Sequence, residues 1–583
     1  MKKKISDIVI EFLESKNIDH VFTVSGGGCI HLIDSLGRAK KLKYICNHHE
    51  QACAMAAEGY ARIKQDIGAC IVTTGPGGTN TLTGVLGCWL DSIPAIFISG
   101  QVPLSQTIRS TGCRQIGDQE HDIVSTVRSM TKYAVMIQNK DDILYELEKA
   151  YRAAIGGRPG PVWIDIPLDI QGSFIDDSEL KAYDEKEPNA KPNIEEIDIL
   201  IDLIEKSKKP IIITGMGIRL SKSYDLFNKI LRKYNIPCLS GVHSGIDTID
   251  NTYKYYAGRI GILGQITSNT LIQEADLIIV IGSRLNVKMT GYNVDNFAPK
   301  SKKVFIDIDP TEVYKHKFNI DLFIHSDIKE FLKIIDTKKI QINITDWQTR
   351  VENIRCQQKY YYPKHKDMID YASLYYFMHK IKNYDNDMPI ITSDGSAHVV
   401  AMQSYRLKKD QRLFTNVGCA SMGYGLPAAI GACFGNNLKP LICLEGDGSI
   451  QMNIQELQTL KHYNLPIKLF VINNDGYLSI KITQQSFFDG KEFASGKNNG
   501  ISFPELKKIC KAYDLQYFCI KNNSEYDDIL LKVCNYDGPA ICELFTHPNE
   551  KHEPKVTHKG INSDGKIIPG DLTDMTITDT FNL

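Results

Sequence analysis

The sequence predicts an α/β protein of three doubly wound parallel-sheet domains, and two observations carry that expectation. Short apolar runs of strand length alternate with amphipathic stretches, the pattern that puts helices on both faces of a parallel sheet. Two polar stretches, 176–193 and 338–366, interrupt it and leave segments over 1–175, 194–335 and 367–550. The chain of 583 residues is too long for one core, and about three or four domains of ordinary size are expected.

In the first segment Ile5, Ile8, Val9 and Leu13 fall at helical spacing and predict a core-facing helix. Lys2, Lys3 and Lys4 could open a signal peptide, but Asp7, Glu11 and Glu14 interrupt the apolar residues after them, so no signal-peptide core is expected. Apolar strands are expected at His20–Val24, Gly68–Thr73, Ala95–Ser99 and Val162–Ile166. The second segment offers Pro210–Ile213, Leu277–Ile281 and Val304–Ile308, and the third Pro440–Glu445 and Ile467–Ile472. The tail, 551–583, reads as an extended arm or lid. Hydrophobic residues are 43% and charged residues 23% of the chain, an ordinary globular mix, and the net charge is −1. That balance gives no electrostatic case for nucleic acid or an anionic membrane as partner. No run of 18 apolar residues predicts a membrane span. The fifteen cysteines are scattered singly without a CxxC pair. Neither a zinc site nor a thioredoxin-like site is therefore suggested, and buried free thiols such as Cys70, Cys88 and Cys443 fit a reducing cytoplasm.

The chemistry concentrates in the third segment. Gly446-Asp447-Gly448-Ser449 follows one apolar strand, and Asn473-Asn474-Asp475-Gly476 follows the next. A strand–loop–helix–strand unit brings such residues to one sheet edge, where Asp447, Asn474 and Gly476 offer hard oxygens suited to Mg²⁺. The small residues Gly446 and Gly448 let backbone N–H groups, with that of Ser449, approach a diphosphate. Two ordinary strand-end turns are the plainer alternative. The spacing resembles the thiamine diphosphate motif, a GDG followed about thirty residues later by NN.

In the first segment His48-His49-Glu50-Gln51 runs into Ala54-Met55-Ala56-Ala57-Glu58-Gly59-Tyr60-Ala61-Arg62. A lone glutamate opening a helix is ordinarily a dipole-stabilising residue. The whole string, however, resembles the signature of the acetolactate synthase (acetohydroxyacid synthase) branch of the thiamine diphosphate enzymes. So do Thr74-Gly75-Pro76-Gly77-Gly78-Thr79-Asn80, Leu90-Asp91-Ser92-Ile93-Pro94, Ser99-Gly100-Gln101-Val102-Pro103 and Arg158-Pro159-Gly160-Pro161-Val162. Met422-Gly423-Tyr424-Gly425-Leu426-Pro427 and Asn453-Ile454-Gln455-Glu456-Leu457 continue the resemblance in the third segment.

The resemblance implies a pyrimidine-binding first domain, a central nucleotide-type domain and a diphosphate-binding third domain. It implies that pyruvate is decarboxylated and its two-carbon unit passed to a second carbonyl. Glu50 takes the family's position against the aminopyrimidine of thiamine diphosphate, and Met422 the position that holds the cofactor bent. Gln119, Gly27 and Gly28 take catalytic positions. Pro76, Asn80, Gly395, Ser396 and Ala420 take cofactor-binding ones. FAD is implied in the central domain, at Arg158, Gly215, Arg284, Asp307 and Asp327, although Thr214-Gly215-Met216-Gly217 alone reads as a turn. Glu50 and Asp447 come from different chains in this family, which implies a homodimer or homotetramer with its active site at the subunit interface.

Four acceptor-pocket positions depart from the family's pattern. Leu168 stands for a lysine, Asp118 for a phenylalanine, Lys288 for an arginine and Thr483 for a tryptophan. A lysine does not reproduce the planar fork of arginine at a carboxylate. These changes predict a roomier, more polar site, fit for a keto-sugar nucleotide rather than a 2-oxoacid such as 2-oxobutyrate. Drift within an ordinary acetolactate synthase is the plainer alternative. A simple 2-oxoacid decarboxylase and a non-catalytic subunit remain as rival functions. His31, His121 and His398 read as packing or capping residues.

Overall fold

The computed structural model describes residues 2–108, 111–185, 190–357, 361–363, 371–488, 490–577 and 580–582. Three six-stranded sheets, each wholly parallel, organise the chain. The first takes β1 (His20–Thr23), β2 (Lys43–Cys46), β3 (Gly68–Val72), β4 (Ala95–Gln101), β5 (Tyr133–Met136) and β6 (Pro161–Pro167) in the order β2-β1-β3-β4-β6-β5. The second takes β7 (Pro210–Thr214), β8 (Cys238–Gly241), β9 (Tyr256–Ile260), β10 (Leu277–Ile281), β11 (Lys302–Asp307) and β12 (Leu322–His325), in the order β9-β8-β7-β10-β11-β12. The third takes β13 (Ile390–Thr392), β14 (Leu413–Phe414), β15 (Leu441–Gly446), β16 (Ile467–Asn473), β17 (Gln516–Ile520) and β18 (Ala540–Phe545), in the order β14-β13-β15-β16-β18-β17.

The first and third sheets thus share one strand order, and the middle sheet has the order of dinucleotide-binding folds. In open sheets of this kind ligands bind beyond the carboxyl ends of the strands, where the strand order reverses. That rule points to the loops after β1 and β3, after β7 and β10, and after β13 and β15.

Two helices lock the first and third domains together. Helix Glu50–Lys64 is buried on every side from Ala52 to Arg62, as its alanine-rich sequence allows, and it crosses helix Gly425–Gly435. The approach is as close as backbones permit. A methyl group at Gly59 would lie 2.1 Å from the Ala428 carbonyl oxygen, and one at Gly431 would lie 1.8 Å from that of Ala56. His49 Nδ1 accepts from Gln51 N at 3.0 Å, so the helix is capped at the point where Glu50 begins it.

Helix Ile5–Ser15 buries Ile5, Ile8, Val9 and Leu13, the residues whose spacing predicts it; each such side chain contributes about 1.5–3 kcal/mol on leaving water. Lys2–Lys4 pairs antiparallel with Phe174–Asp176, tying down the start of the chain. The polar stretch 338–366 is more than a linker. Its described part carries helix Thr345–Gln357, whose Trp347, Val351 and Ile354 pack on the middle domain at helical spacing. The tail runs back over the molecule: Leu572 is buried against Gly291, and Asn269 Nδ2 donates to its carbonyl at 2.9 Å. No helix among the described residues is long and apolar enough to cross a membrane.

Candidate active site

At the reversal point of the third sheet, β15 ends at Gly446 and delivers Asp447 into a buried position. Its carboxylate collects backbone donors, from Gly448 at 2.8 Å, Asn474 at 3.0 Å and Gly476 at 3.4 Å. Burial still outweighs them and pushes the carboxyl up to about 7. Beside it Asn474 Oδ1 is buried with no hydrogen-bond partner, a costly arrangement unless something else takes the oxygen. Gly476 sits at φ 152° with Ser495 O only 2.4 Å from where a Cβ would stand, so this turn admits only glycine. One carboxylate, one amide oxygen and a nearby carbonyl are ligands that Mg²⁺ takes, leaving room for phosphate oxygens and water.

The loop after β13 lies next to this one in the sheet. Gly395 precedes helix Ser396–Ser404, and Ser396 Oγ meets His552 Nε2 from the tail at 2.9 Å. Ser449 Oγ accepts from Gly423 N at 2.8 Å, which ties the Asp447 loop to the stretch carrying Ala420 and Met422. Met422 is 37% exposed, an open apolar ledge at the rim.

The first sheet gathers a second cluster at its carboxyl ends. Asn80 Nδ2 donates to Glu50 Oε2 at 2.9 Å, from the end of the short helix that Pro76 begins. Gly28 N donates to Thr73 Oγ1 at 3.1 Å, and Gly28 O accepts from Gln171 Nε2 at 2.8 Å. Gly27 opens a 3₁₀ turn with free space at its α-carbon. Gln119 holds φ 60°, with its carbonyl pressed on Gly75, and its side chain and that of Asp118 are exposed. Glu120, in contrast, is buried and accepts from Ile116 N at 2.7 Å and Gly117 N at 3.2 Å. Leu168 begins a short helix directly after β6.

Among the described residues no hydrogen bond or ion pair joins Glu50 to Asp447, Asn474 or Gly476. On either side of Glu50 the chain faces the third domain: Asn47 Nδ2 and His48 N donate to Glu456 at 2.8 and 2.9 Å, and Gln51 accepts from Asn453 Nδ2 at 3.1 Å.

The middle sheet opens at its carboxyl edge on a cavity of about 550 Å³, lined among others by Arg158, Arg284, Lys288, Asp307 and Asp327. Arg158 donates to Asp309 Oδ2 at 2.9 Å and Glu312 Oε1 at 2.6 Å. Burial raises Asp307 to about 6, and Asp327 caps helix Ile328–Thr337 through Lys329 N at 2.8 Å. Gly215 does not line this cavity. A Cβ there would lie 2.0 Å from Gly282 O, so it serves the contact between the β7 and β10 loops, and Met216 and Gly217 line the wall instead. The end of β9, Gly258–Ile260, and Gly261 after it are also absent from the lining; Arg259 donates to Met402 O at 2.8 Å. Thr483 is exposed on helix Leu478–Phe487, its hydroxyl bonded to Ser479 O at 2.9 Å.

Comparison with known proteins agrees with this layout. The family models described as thiamine pyrophosphate enzyme N-terminal TPP binding domain, central domain and C-terminal TPP binding domain match residues 3–125, 197–335 and 394–544. The acetolactate synthase large subunit of Lactococcus lactis is 32% identical over 574 residues, covering 96% of each chain. This chain belongs to the acetolactate synthase-like thiamine diphosphate-dependent enzymes. Acetolactate synthase 2 (chloroplastic) of Nicotiana tabacum is 30% identical, covering 98% of this chain and 86% of its own. The isozyme 2 large subunit of Escherichia coli K12 is 29% identical, covering 95% and 98%. The protein is accordingly a thiamine diphosphate-dependent transferase of the acetolactate synthase type.

Two features escape the sequence reading. Lys481 is buried against the Asn474–Gly476 turn, its Nζ donating to Asp475 O at 2.9 Å; its place four residues into a helix that starts just past Gly476 is the only signal. His243 lies on the cavity wall with its ring 5.1 Å from that of His398, 155 residues away, and no local pattern marks that pair.

Proposed function

We propose that this acetolactate synthase-like enzyme decarboxylates pyruvate and joins the two-carbon unit to a second carbonyl compound, with thiamine diphosphate, Mg²⁺ and FAD bound. On this reading 1–175 binds the aminopyrimidine, 194–335 the flavin and 367–550 the diphosphate, and 551–583 forms the arm. The observation that carries it is the buried Asp447 carboxylate beside the unpartnered Asn474 Oδ1, at the reversal point of a parallel sheet. The donor set fits the metal: Asp447, Asn474 and the Gly476 carbonyl would hold it, and the N–H groups of Ser396 and Ser449, with the small residues Gly395, Gly446 and Gly448 beside them, would face the diphosphate.

When bound, the cofactor supplies the carbon nucleophile and the electron sink for departing CO₂. The chain's part is orientation and exclusion of water. Glu50, held by Asn80 at 2.9 Å, would present its carboxylate to the aminopyrimidine, Met422 would support the cofactor, and Gln119 with Gly27 and Gly28 would border the reacting carbons. A second copy would complete each site, as a homodimer or homotetramer, because the family resemblance assigns Glu50 and Asp447 of one site to different chains. The flavin would lie in the middle-domain cavity, whose Arg158, Arg284, Asp307 and Asp327 walls and volume of about 550 Å³ suit a nucleotide.

For the acceptor, Lys288, Asp118 and Thr483 supply polar groups and Leu168 an apolar one, which supports a keto-sugar nucleotide over 2-oxobutyrate. The test is to incubate the holoenzyme with pyruvate, with and without a panel of keto-sugar nucleotides, and to read products by mass spectrometry. A sugar two carbons heavier, formed in preference to acetolactate, is the expected result. Acetolactate alone would remove the sugar acceptor, and acetaldehyde alone would remove carboligation.

A further inference from the structure

The tail reaches both ends of one helix. Helix Ser396–Ser404 starts at the loop after β13, and Gly395 before it brings no capping side chain to its first turn. A methyl group at Gly395 would meet nothing nearer than Ser479 Oγ, at 3.9 Å. One at Gly446, on the neighbouring strand, would meet nothing nearer than Ser449 Cβ, at 3.8 Å. The two loops therefore border open space where the diphosphate is expected. On the first turn Ser396 Oγ meets His552 Nε2 at 2.9 Å, and both residues are buried or nearly so. At the far end Gln403 Nε2 donates to Pro554 O at 2.7 Å. Tyr375 Oη donates to Gln403 Oε1 and accepts from Glu553 N, both at 2.9 Å. Arg259 Nη1 and Gln265 Nε2 of the middle domain donate to the last-turn carbonyls of Met402 and Gln403, each at 2.8 Å.

The bonds at the far end fix the helix as a body, and the His552 bond acts on its first turn. Burial pushes the His552 imidazole down to about 4, so the ring is neutral and offers one donor and one acceptor. The serine hydroxyl has a single proton to give. If Ser396 spent it on His552, only lone pairs would remain for an anion. If Nε2–H donates to Oγ, the serine proton is left for a phosphate oxygen. A diphosphate only accepts, and a hydrogen bond to a charged oxygen is roughly twice as strong as one between neutral groups. Such a bond requires its donor held to within about 0.5 Å, which a partner behind the donor supplies.

We propose that His552 is a positioning residue for the cofactor: its Nε2–H donates to Ser396 Oγ and turns the serine proton toward a diphosphate oxygen, so that the tail sets how tightly the cofactor is held. The inference rests on the reading above that places the diphosphate at this loop. His552 touches no cofactor atom and acts through Ser396.

The experiment is a calorimetric titration of thiamine diphosphate, with Mg²⁺ present, into the full chain freed of cofactor. The wild type is compared with His552→Phe, His552→Gln, Ser396→Ala and the double variant His552→Phe/Ser396→Ala. His552→Asn, whose shorter amide does not reach Ser396, takes the place of phenylalanine should that variant not fold. His552→Phe and Ser396→Ala are each expected to bind about tenfold or more weakly, the loss of one hydrogen bond to a charged group. The double variant should bind no more weakly than Ser396→Ala, because both changes remove the same interaction. His552→Gln should recover most of the loss, since its amide nitrogen donates from about the same reach. Wild-type affinity in His552→Phe, losses that multiply in the double variant, or a glutamine variant no better than phenylalanine would each overturn the proposal and leave the diphosphate reading in place. A wild type that binds no thiamine diphosphate would overturn that reading, and the proposal with it.

Discussion

Glu550 anchors the root of the tail, and its burial makes a quantitative forecast. The side chain is 3% exposed and, among the described residues, accepts from Ser373 Oγ, at 3.3 Å, and the Leu374 backbone. Burial therefore pushes its carboxyl from 4.5 up to about 8. For an acid whose folded value is raised, stability is fully present below the unfolded value and is lost as pH climbs through the folded one. Between about pH 4.5 and 8 the unfolded chain has released the proton and the folded chain keeps it. Each pH unit in that window then removes about 1.4 kcal/mol, up to about 5 kcal/mol in all. Glu550→Gln keeps a neutral, hydrogen-bonding side chain and deletes the titration. Urea unfolding of wild type and variant at pH 5, 6, 7 and 8 isolates the effect, because other raised groups such as Glu58 and Asp165, both at about 7, act equally in both proteins. The midpoints should converge at pH 5, and the variant should be the more stable by a few kcal/mol at pH 8. Parallel pH profiles would show that Glu550 does not titrate in this window, and the reasoning from burial would fail. The consequence reaches the site, because two residues on His552 meets Ser396.

Mg²⁺ at a hundred times its dissociation constant should stabilise the wild type by about 2.7 kcal/mol and leave Asp447→Asn unmoved in thermal unfolding; equal stabilisation of both would place the metal elsewhere. Glu50→Gln and Asp447→Asn should each lower turnover by about a hundredfold or more. Co-expressed as mixed oligomers they should regain activity from sites pairing the intact halves, and a mixture as inactive as its parents would refute the shared site. Gly431→Ala forces a methyl against the Ala56 carbonyl and should cost about 1–3 kcal/mol, read as a lower urea midpoint; an unchanged midpoint would mean the helices cross more loosely than this contact requires.

What the sequence made legible is what local patterns encode. Asp447 and Asn474 each follow a long apolar strand, so their approach needs nothing beyond parallel pairing of β15 and β16. Helix Ile5–Ser15 shows its face in four apolar residues. Helix Thr345–Gln357 hides because its buried stripe, Trp347, Val351 and Ile354, is thin within a polar stretch. The edge strand β2 hides for a related reason, being mostly exposed along Lys43–Cys46. Gly215 is legible as a glycine near a strand end, but the sequence does not show the close backbone it meets in the β10 loop. The His243–His398 contact depends on how two domains dock, and periodicity within either segment carries no trace of it.

The most direct test of the central claim traces the carbons of pyruvate. Holoenzyme given uniformly ¹³C-labelled pyruvate and a carbonyl acceptor should release carbon 1 as CO₂. Carbons 2 and 3 should appear, still bonded to each other, on a new carbon–carbon bond in the product. Labelled acetaldehyde as the sole organic product, or no labelled CO₂ at all, would contradict it.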